Sequence, residues 1–428
     1  MYKRQALELT EGLLGPDGQP DPMRPEWASF CKAKTEDLLD RVPDLAGLIV
    51  NLSSPESRVS MPDHVETQQD DREKGPWFDG MIAAFQSPLN RQGKALYVRD
   101  FAYTTDVQSD VLAAIARCDG TVQASVKVTA HDYFPRAAEN PAVQQAGPDA
   151  VLEVDAFGEH TGWGVVPNCR VVEFATRLSA AREGSNHGLL VRTSWEAIVG
   201  ANALDSLSAV NVYALPLLLK GETDATAAVK AWLDEAHGVI GETAETAIQL
   251  LLRSWDIPAA TYWDDFVFPR HSCLPSTWQE GWMSMETIGM GRRERGLSIS
   301  STDERLSEKT RLRIFAEKEN ATALAGELAQ AAAALEADLP DTLARLFASF
   351  AWMPLFAKQF ELAIKATFYA ARALPEDLQN VRNLHAALID FAGDLEDTLK
   401  AHQDLPHHHR VLLDPDQIRR FAASLLVV

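Results

Sequence analysis

Three carboxylates crowd one short run, VLEVDAFGEHTGWG (151–164), where Glu153, Asp155 and Glu159 lie two and four residues apart. Alternate residues of an extended segment share a face, so all three turn to one side while Leu152, Val154 and Ala156 turn to the other. The preceding run, VKVTAHDYFP (126–135), repeats the design with Lys127, Thr129 and His131 on one face and Asp132 where the segment gives way to a loop. Two carboxylates at neighbouring segment ends, with a Lys and a His between them, suit acid–base chemistry on a polar substrate. Glu159 and Asp132 are the candidate catalytic groups, and Glu153 and Asp155 their deeper supports. YVRDF (97–101) adds Arg99 on the face of Tyr97 and Phe101, and VNLSSPESR (50–58) ends with Asn51, Ser53 and Glu56. In HGLLVRTSW (187–195), Arg192 is a further substrate-binding candidate, while His160, Trp163 and Trp195 are expected to wall the substrate.

Such residues need a parallel sheet to bring them together. Five β-rich runs, 45–53, 94–102, 121–129, 150–157 and 187–195, are separated by stretches long enough for a helix, for instance 25–42 and 107–118. Strand, helix, strand in succession predicts a parallel sheet with crossover helices. In a barrel built from such units the active site lies at the C-terminal ends of the strands, where Asp132 and Glu159 fall. The competing reading of 151–159 is a solvated acidic face on an antiparallel edge strand, which the surrounding pattern disfavours. Beyond residue 200 the pattern turns helical, at 208–219, 225–240 and 243–256. An aromatic segment (262–291) reads as a long ordered loop region. Ala- and Leu-rich amphipathic stretches near 304–337, 340–373, 376–403 and 414–427 predict a helical bundle. The expected class is α/β, a partial (β/α)8 TIM barrel followed by an α-helical C-terminal domain. Its divisions are 6–240 for the barrel, 241–300 for the aromatic loop and helix region, and 301–428 for the helices.

Composition narrows the partners. With 428 residues, 46% hydrophobic and 24% charged, the chain has material for a large core. A net charge of −21, with no basic stripe, disfavours nucleic acid. No run of 18 or more apolar residues exists, so no membrane span is expected, and a soluble chain, cytoplasmic or periplasmic, is the reading. The four cysteines show no CxxC spacing, which points to neither zinc nor redox chemistry through thiols. No metal or organic cofactor is expected, and the helical C-terminal part is the expected contact of a homodimer. MYKRQ, residues 1–5, is what a GTG start followed by TAT AAG AGA CAG encodes. That resembles the transposon end left by library preparation in metagenomic reading frames. Five strands are too few for a closed barrel of about 250 residues, so the first three strands are expected to be lost upstream and the sheet to be open.

The series RDFAY, VKVTAHD, LEVDAFGEHTG, LSAVNVYALPLLL and AAVKAWLDEA resembles glycoside hydrolase family 67, the α-glucuronidases, over roughly residues 46–240. The order of these runs and the spacing from Asp132 to Glu159 follow that family. The resemblance implies inverting hydrolysis of an acidic, uronic-acid-containing glycan, with Asp132 and Glu159 flanking the hydrolytic water and Lys127 and Arg99 holding the uronate. Arg suits a carboxylate because its planar fork makes two parallel hydrogen bonds. The family's general acid lies in a KANSEG-like segment. Here VNLSSPES sets Asn51 at the lysine and Pro55 at the glutamate, so Glu56, one residue later, is the acid the resemblance leaves. Two other readings stand beside it: a barrel lyase or racemase of acid sugars with Asp132, Glu153 and Glu159 on a metal and Lys127 as base, and a sugar-binding relative without turnover.

Overall fold

The computed structural model describes residues 11–16, 21, 23–52, 74–102, 105–118, 121–130, 132–137, 139–147, 149–181, 188–195, 198–221, 224–263, 266–283, 286–287 and 304–427. Glu56 and His131 lie outside the described residues, so two of the candidates carry no structural account.

Five strands, β1 (Gly47–Asn51), β2 (Ala95–Arg99), β3 (Val122–Lys127), β4 (Val151–Asp155) and β5 (Gly188–Arg192), form one sheet in sequence order. Every neighbouring pair is parallel. The connections carry helices α1 (Glu26–Arg41, leading into β1), α2 (Lys74–Arg91), α3 (Thr105–Ala116), the single turn α4 (Ala142–Gln145) and α5 (Val171–Ala181). This is the arc of a (β/α) barrel, with α2 packed on β2 and α3 on β3. Leu96, Val98, Ala124, Val126, Leu152 and Val154 are all buried on the helix side. The opposite face carries Arg99, Ser125, Lys127 and Glu153. Both faces of the central strands are therefore covered, as parallel sheets require. Among the described residues β1 and β5 are paired on one side only, and Ile49 and Leu190, 48% and 39% exposed, mark those edges.

The barrel arc is followed by α6 (Ala209–Lys220), α7 (Ala225–His237), α8 (Gly241–Ser254) and the single turn α9 (Asp256–Ala259). The aromatic segment holds a two-residue antiparallel pair, β6 (Phe266–Val267) with β7 (Glu286–Thr287), and the short helix α10 (Trp278–Met283). Six helices complete the chain: α11 (Glu308–Leu335), α12 (Asp341–Phe347), α13 (Met353–Arg372), α14 (Leu378–Ala401), α15 (His407–Leu412) and α16 (Pro415–Ser424). α13 is their axis, burying Phe356, Phe360, Ile364 and Phe368 and packing against α11 and α14. The continuous helix expected over 340–373 is instead two, joined by a 3-10 stretch, Ala348–Trp352. Pro354 explains the break, because a proline is accommodated in the first turn of a helix and not within one.

The helical part is not an appendage. α11 packs on α8, the Lys318 Nζ donates to the Tyr262 carbonyl at 2.5 Å, and Arg136 pairs with Glu317. Tyr262 in turn donates its hydroxyl to the His160 carbonyl at 3.3 Å, which ties these helices to the loop after β4.

Candidate active site

The loop after β4 is built around Asp155. Its Oδ1 accepts the amides of Phe157 and Gly158, both at 3.1 Å, and its Oδ2 accepts that of Glu159 at 2.8 Å. A carboxylate receiving three successive N–H groups fixes a tight turn. Gly158 adopts φ +94°, and a Cβ there would stand 2.3 Å from Thr161 Oγ1 and 3.0 Å from Asn168 Nδ2. Gly158→Ala is therefore expected to destabilise the chain by more than the ~1 kcal/mol of an unstrained Gly/Ala exchange. Thermal unfolding beside a Gly93→Ala control, which has a positive φ but open space around it, separates the clash from the backbone strain.

The Glu159 carbonyl is held as firmly as its amide: the Trp163 indole donates to it at 3.0 Å and Ser272 Oγ at 2.8 Å. Its carboxylate is 8% exposed, with Oε2 paired to Arg192 and Oε1 3.1 Å from His271 Nδ1. Burial alone would raise this carboxyl, but the neighbouring His160, His271 and Arg192 outweigh burial and the Asp132 charge, holding it below the ordinary carboxylate value. Asp132, at the end of the β3 unit, accepts Lys127 Nζ at 2.7 Å and the Tyr133 amide at 2.9 Å on Oδ1. Against its own burial, Lys127 and His160 hold it well below the usual value. The His160 imidazole lies between the two acids, with Nε2 3.4 Å from Asp132 Oδ2 and 3.8 Å from Glu159 Oε1. Burial works against its charged form, yet the two carboxylates raise its pKa.

Glu153 belongs to a different arrangement. It accepts the Arg99 fork at 2.7 and 2.5 Å, Ser125 Oγ at 2.6 Å and the Tyr133 hydroxyl at 3.1 Å. Four donors close this carboxylate, so the expected metal set of Asp132, Glu153 and Glu159 does not assemble. The same contact closes Arg99, whose fork engages Glu153 and does not turn to the mouth. Asn51 stands beside Arg99 in register at the end of β1. Trp163, 2% exposed and stacked on Trp195 at 5.2 Å, is chiefly a packing residue. His160 is likewise buried. The accessible rings at this end are Trp195, partly buried, and His271, 45% exposed, whose centroids are 4.5 Å apart.

No family model matches the sequence, and no curated protein matches it. Among solved structures, a GH138 enzyme targeting pectin rhamnogalacturonan II is similar, with a TM-score of 0.61 at 14% identity over 95% of this chain. The likeness is one of fold. The chain spans 63% of the length of that solved chain.

His271 and Tyr133 are the site residues that the sequence reading passed over. Tyr133 was adjacent to a candidate, and its ring lies 4.4 Å from Lys127 Nζ. His271 had no local signal beyond membership of the aromatic segment. Its backbone, at φ +52°, sits in a sparsely populated region for a non-glycine residue, a strain found where structure over-determines a position. A cavity of about 330 Å³ between this loop and the C-terminal helices is lined by Trp163, Asp205, Arg345, Trp352 and His409 among others, but by neither Asp132 nor Glu159.

Proposed function

We propose that this protein is a glycoside hydrolase acting by inversion on an acidic, uronic-acid-containing glycan, in the manner of an α-glucuronidase. The observation that carries the reading is the pair Asp132 and Glu159 at adjacent strand ends, both held ionised and both facing one imidazole nitrogen. A general base must be deprotonated to take a proton from water, and either carboxylate meets that condition. Neither suits the acid, which needs a raised pKa. That role stays with Glu56 in this reading. Water attacks the anomeric carbon as the acid protonates the departing oxygen, and the base takes the proton that the water loses. The glycoside hydrolase-like fold and the position of the pair at the C-terminal end of the sheet support the assignment.

Arg192 is the cation assigned to the substrate's carboxylate. It borders the candidate base Glu159, whereas Arg99, though similarly exposed, spends both Nε and Nη2 on Glu153. Arg192→Ala is expected to raise KM for aryl uronides by more than tenfold while changing neutral glycosides far less, since a charge-assisted hydrogen bond contributes roughly 1.5–3 kcal/mol. Equal losses on both substrates would remove uronate recognition from the proposal. The pH profile supplies a second test. A base whose pKa is depressed stays active as pH falls, so the acid limb of kcat/KM should lie below the ordinary carboxylate value of about 4.3. A limb at or above that value would exclude Asp132 and Glu159 as the base.

A further inference from the structure

The imidazole between the two acids has a feature that hydrolysis does not use. Neither ring nitrogen of His160 makes a well-formed hydrogen bond: Nδ1 is buried with no partner, Nε2 faces the Asp132 and Glu159 carboxylates only at 3.4 and 3.8 Å, and the residue is 4% exposed. A buried polar nitrogen so poorly satisfied is costly. Ligand atoms of Glu159, His160 and His271, one from each, lie within 4.8 Å of one another, and Asp132 Oδ2, outside that group, is 3.4 Å from His160 Nε2. We propose that Glu159, His160 and His271 form a binding site for a divalent cation of the zinc class, with the fourth position open.

The lengths fit. Zinc bonds to nitrogen and oxygen of about 2.0–2.2 Å, in a tetrahedron, put neighbouring ligand atoms roughly 3.3–3.6 Å apart. The contacts here are 3.1 Å from Glu159 Oε1 to His271 Nδ1 and 3.8 Å from Glu159 Oε1 to His160 Nε2, which bracket that separation. The remaining oxygens are already engaged: Lys127 holds Asp132 Oδ1 and Arg192 holds Glu159 Oε2, which turns Oδ2 and Oε1 toward the imidazoles. Hydrogen bonding of the far oxygen of a ligating carboxylate is the usual way such ligands are oriented. Two imidazoles and a carboxylate select zinc, cobalt or nickel over magnesium and calcium, which take oxygen sets of higher number. Glu159 and the nearby Asp132 offset the charge of the ion, while Lys127 and Arg192 keep its affinity below that of a structural zinc site. Entry is from the His271 side, the exposed member of the set.

Binding itself does not depend on the hydrolytic reading, but one consequence does: an occupied site engages the Glu159 carboxylate, so zinc should inhibit turnover. The test uses the full chain, stripped with chelator and titrated with zinc chloride by calorimetry and with cobalt chloride by visible absorption. One ion per chain, with the visible bands of four-coordinate cobalt, is expected. His160→Ala and His271→Gln should each weaken binding at least about tenfold, the lower end of what disturbing a metal shell costs. His271→Gln changes an exposed side chain and serves if the buried variant fails to fold. The run His407, His408 and His409 is the obvious rival, so His407→Ala with His408→Ala should leave the affinity unchanged. Loss of binding in that double variant alone, unaltered affinity in His271→Gln, or no stoichiometric binding would overturn the proposal. Inhibition by zinc and recovery with chelator extend it to turnover. A wild-type chain that hydrolyses no uronide under any condition defeats the hydrolytic reading and leaves the metal titration to decide the site.

Discussion

Glu159→Gln should lower kcat by a factor of roughly 10²–10⁴, the contribution of a positioned general base, with KM for an aryl uronide little changed. The amide keeps the shape and the anchored backbone: the Glu159 amide stays on Asp155 and its carbonyl on Trp163 and Ser272. What disappears is the lone pair that accepts a proton from water. Because Arg192 and His271 lose an anionic partner in the variant, its melting temperature must be measured alongside, so that a loss of fold is not taken for a loss of chemistry. Asp132→Asn provides the companion measurement. If Asp132 is the base and Glu159 only orients the water, the larger loss moves to Asp132. Unchanged turnover in both variants would leave the carboxylates of these strand ends as structural acids.

Glu153→Gln is expected to produce the largest loss of stability. Removing one member of a buried ion pair leaves the other uncompensated, at a cost of about 3–5 kcal/mol when both are fully buried. Arg99, with its side chain 29% exposed, draws some solvation in the variant, which puts the result toward the lower part of that range. Ser125 Oγ and the Tyr133 hydroxyl retain an acceptor of weaker kind. The sign with pH follows from the depressed pKa of Glu153, which burial would raise but the Arg99 fork, Ser125 and Lys127 lower. A carboxyl depressed on folding stabilises fully above its unfolded value, about 4.3, and the contribution is lost as pH falls through the folded value. The wild-type advantage over Glu153→Gln should therefore be constant near neutrality and shrink in acid. Denaturant unfolding at several pH values measures it, and a gap that widens on acidification would contradict the assignment.

The five parallel strands were legible because each is a short run of β-branched and aliphatic residues at regular separation from the next, and their observed limits fall inside the expected ones. The placement of Asp132 and Glu159 at neighbouring strand ends was legible for a related reason: strand alternation and strand ends are local properties. Pairing was not. Both Arg99 and Glu153 could be placed on the inner face, but that they meet depends on the register of β2 on β3 and β3 on β4, which no local pattern encodes. A fork read as waiting for a substrate was thus one already answered by its neighbour. Trp163 misled similarly, since its burial depends on Trp195, from the following strand end. Helix α2 escaped notice because KGPWFDGMIAAFQSPLNR carries glycines and Pro88, which mask its apolar spacing. His271 was beyond reach for want of any short-range relation to Glu159, 112 positions away.

The contact of Ser272 with Glu159 carries a consequence for how this protein could change over evolutionary time. Ser272 donates to the Glu159 carbonyl and accepts the Gly162 amide, each at 2.8 Å, while its neighbour His271 touches the Glu159 carboxylate. The turn at 270–273, closed by reciprocal hydrogen bonds between Arg270 and Cys273, thus latches the loop that presents the acid. Recombination that exchanged the barrel arc while keeping the later helices would have to preserve this latch to the atom, even though no residue of the turn belongs to the sheet. Insertions and deletions should accordingly accumulate elsewhere in the chain and be selected against here. A chimera joined between α8 and β6 is expected to fold its sheet and still present Glu159 wrongly.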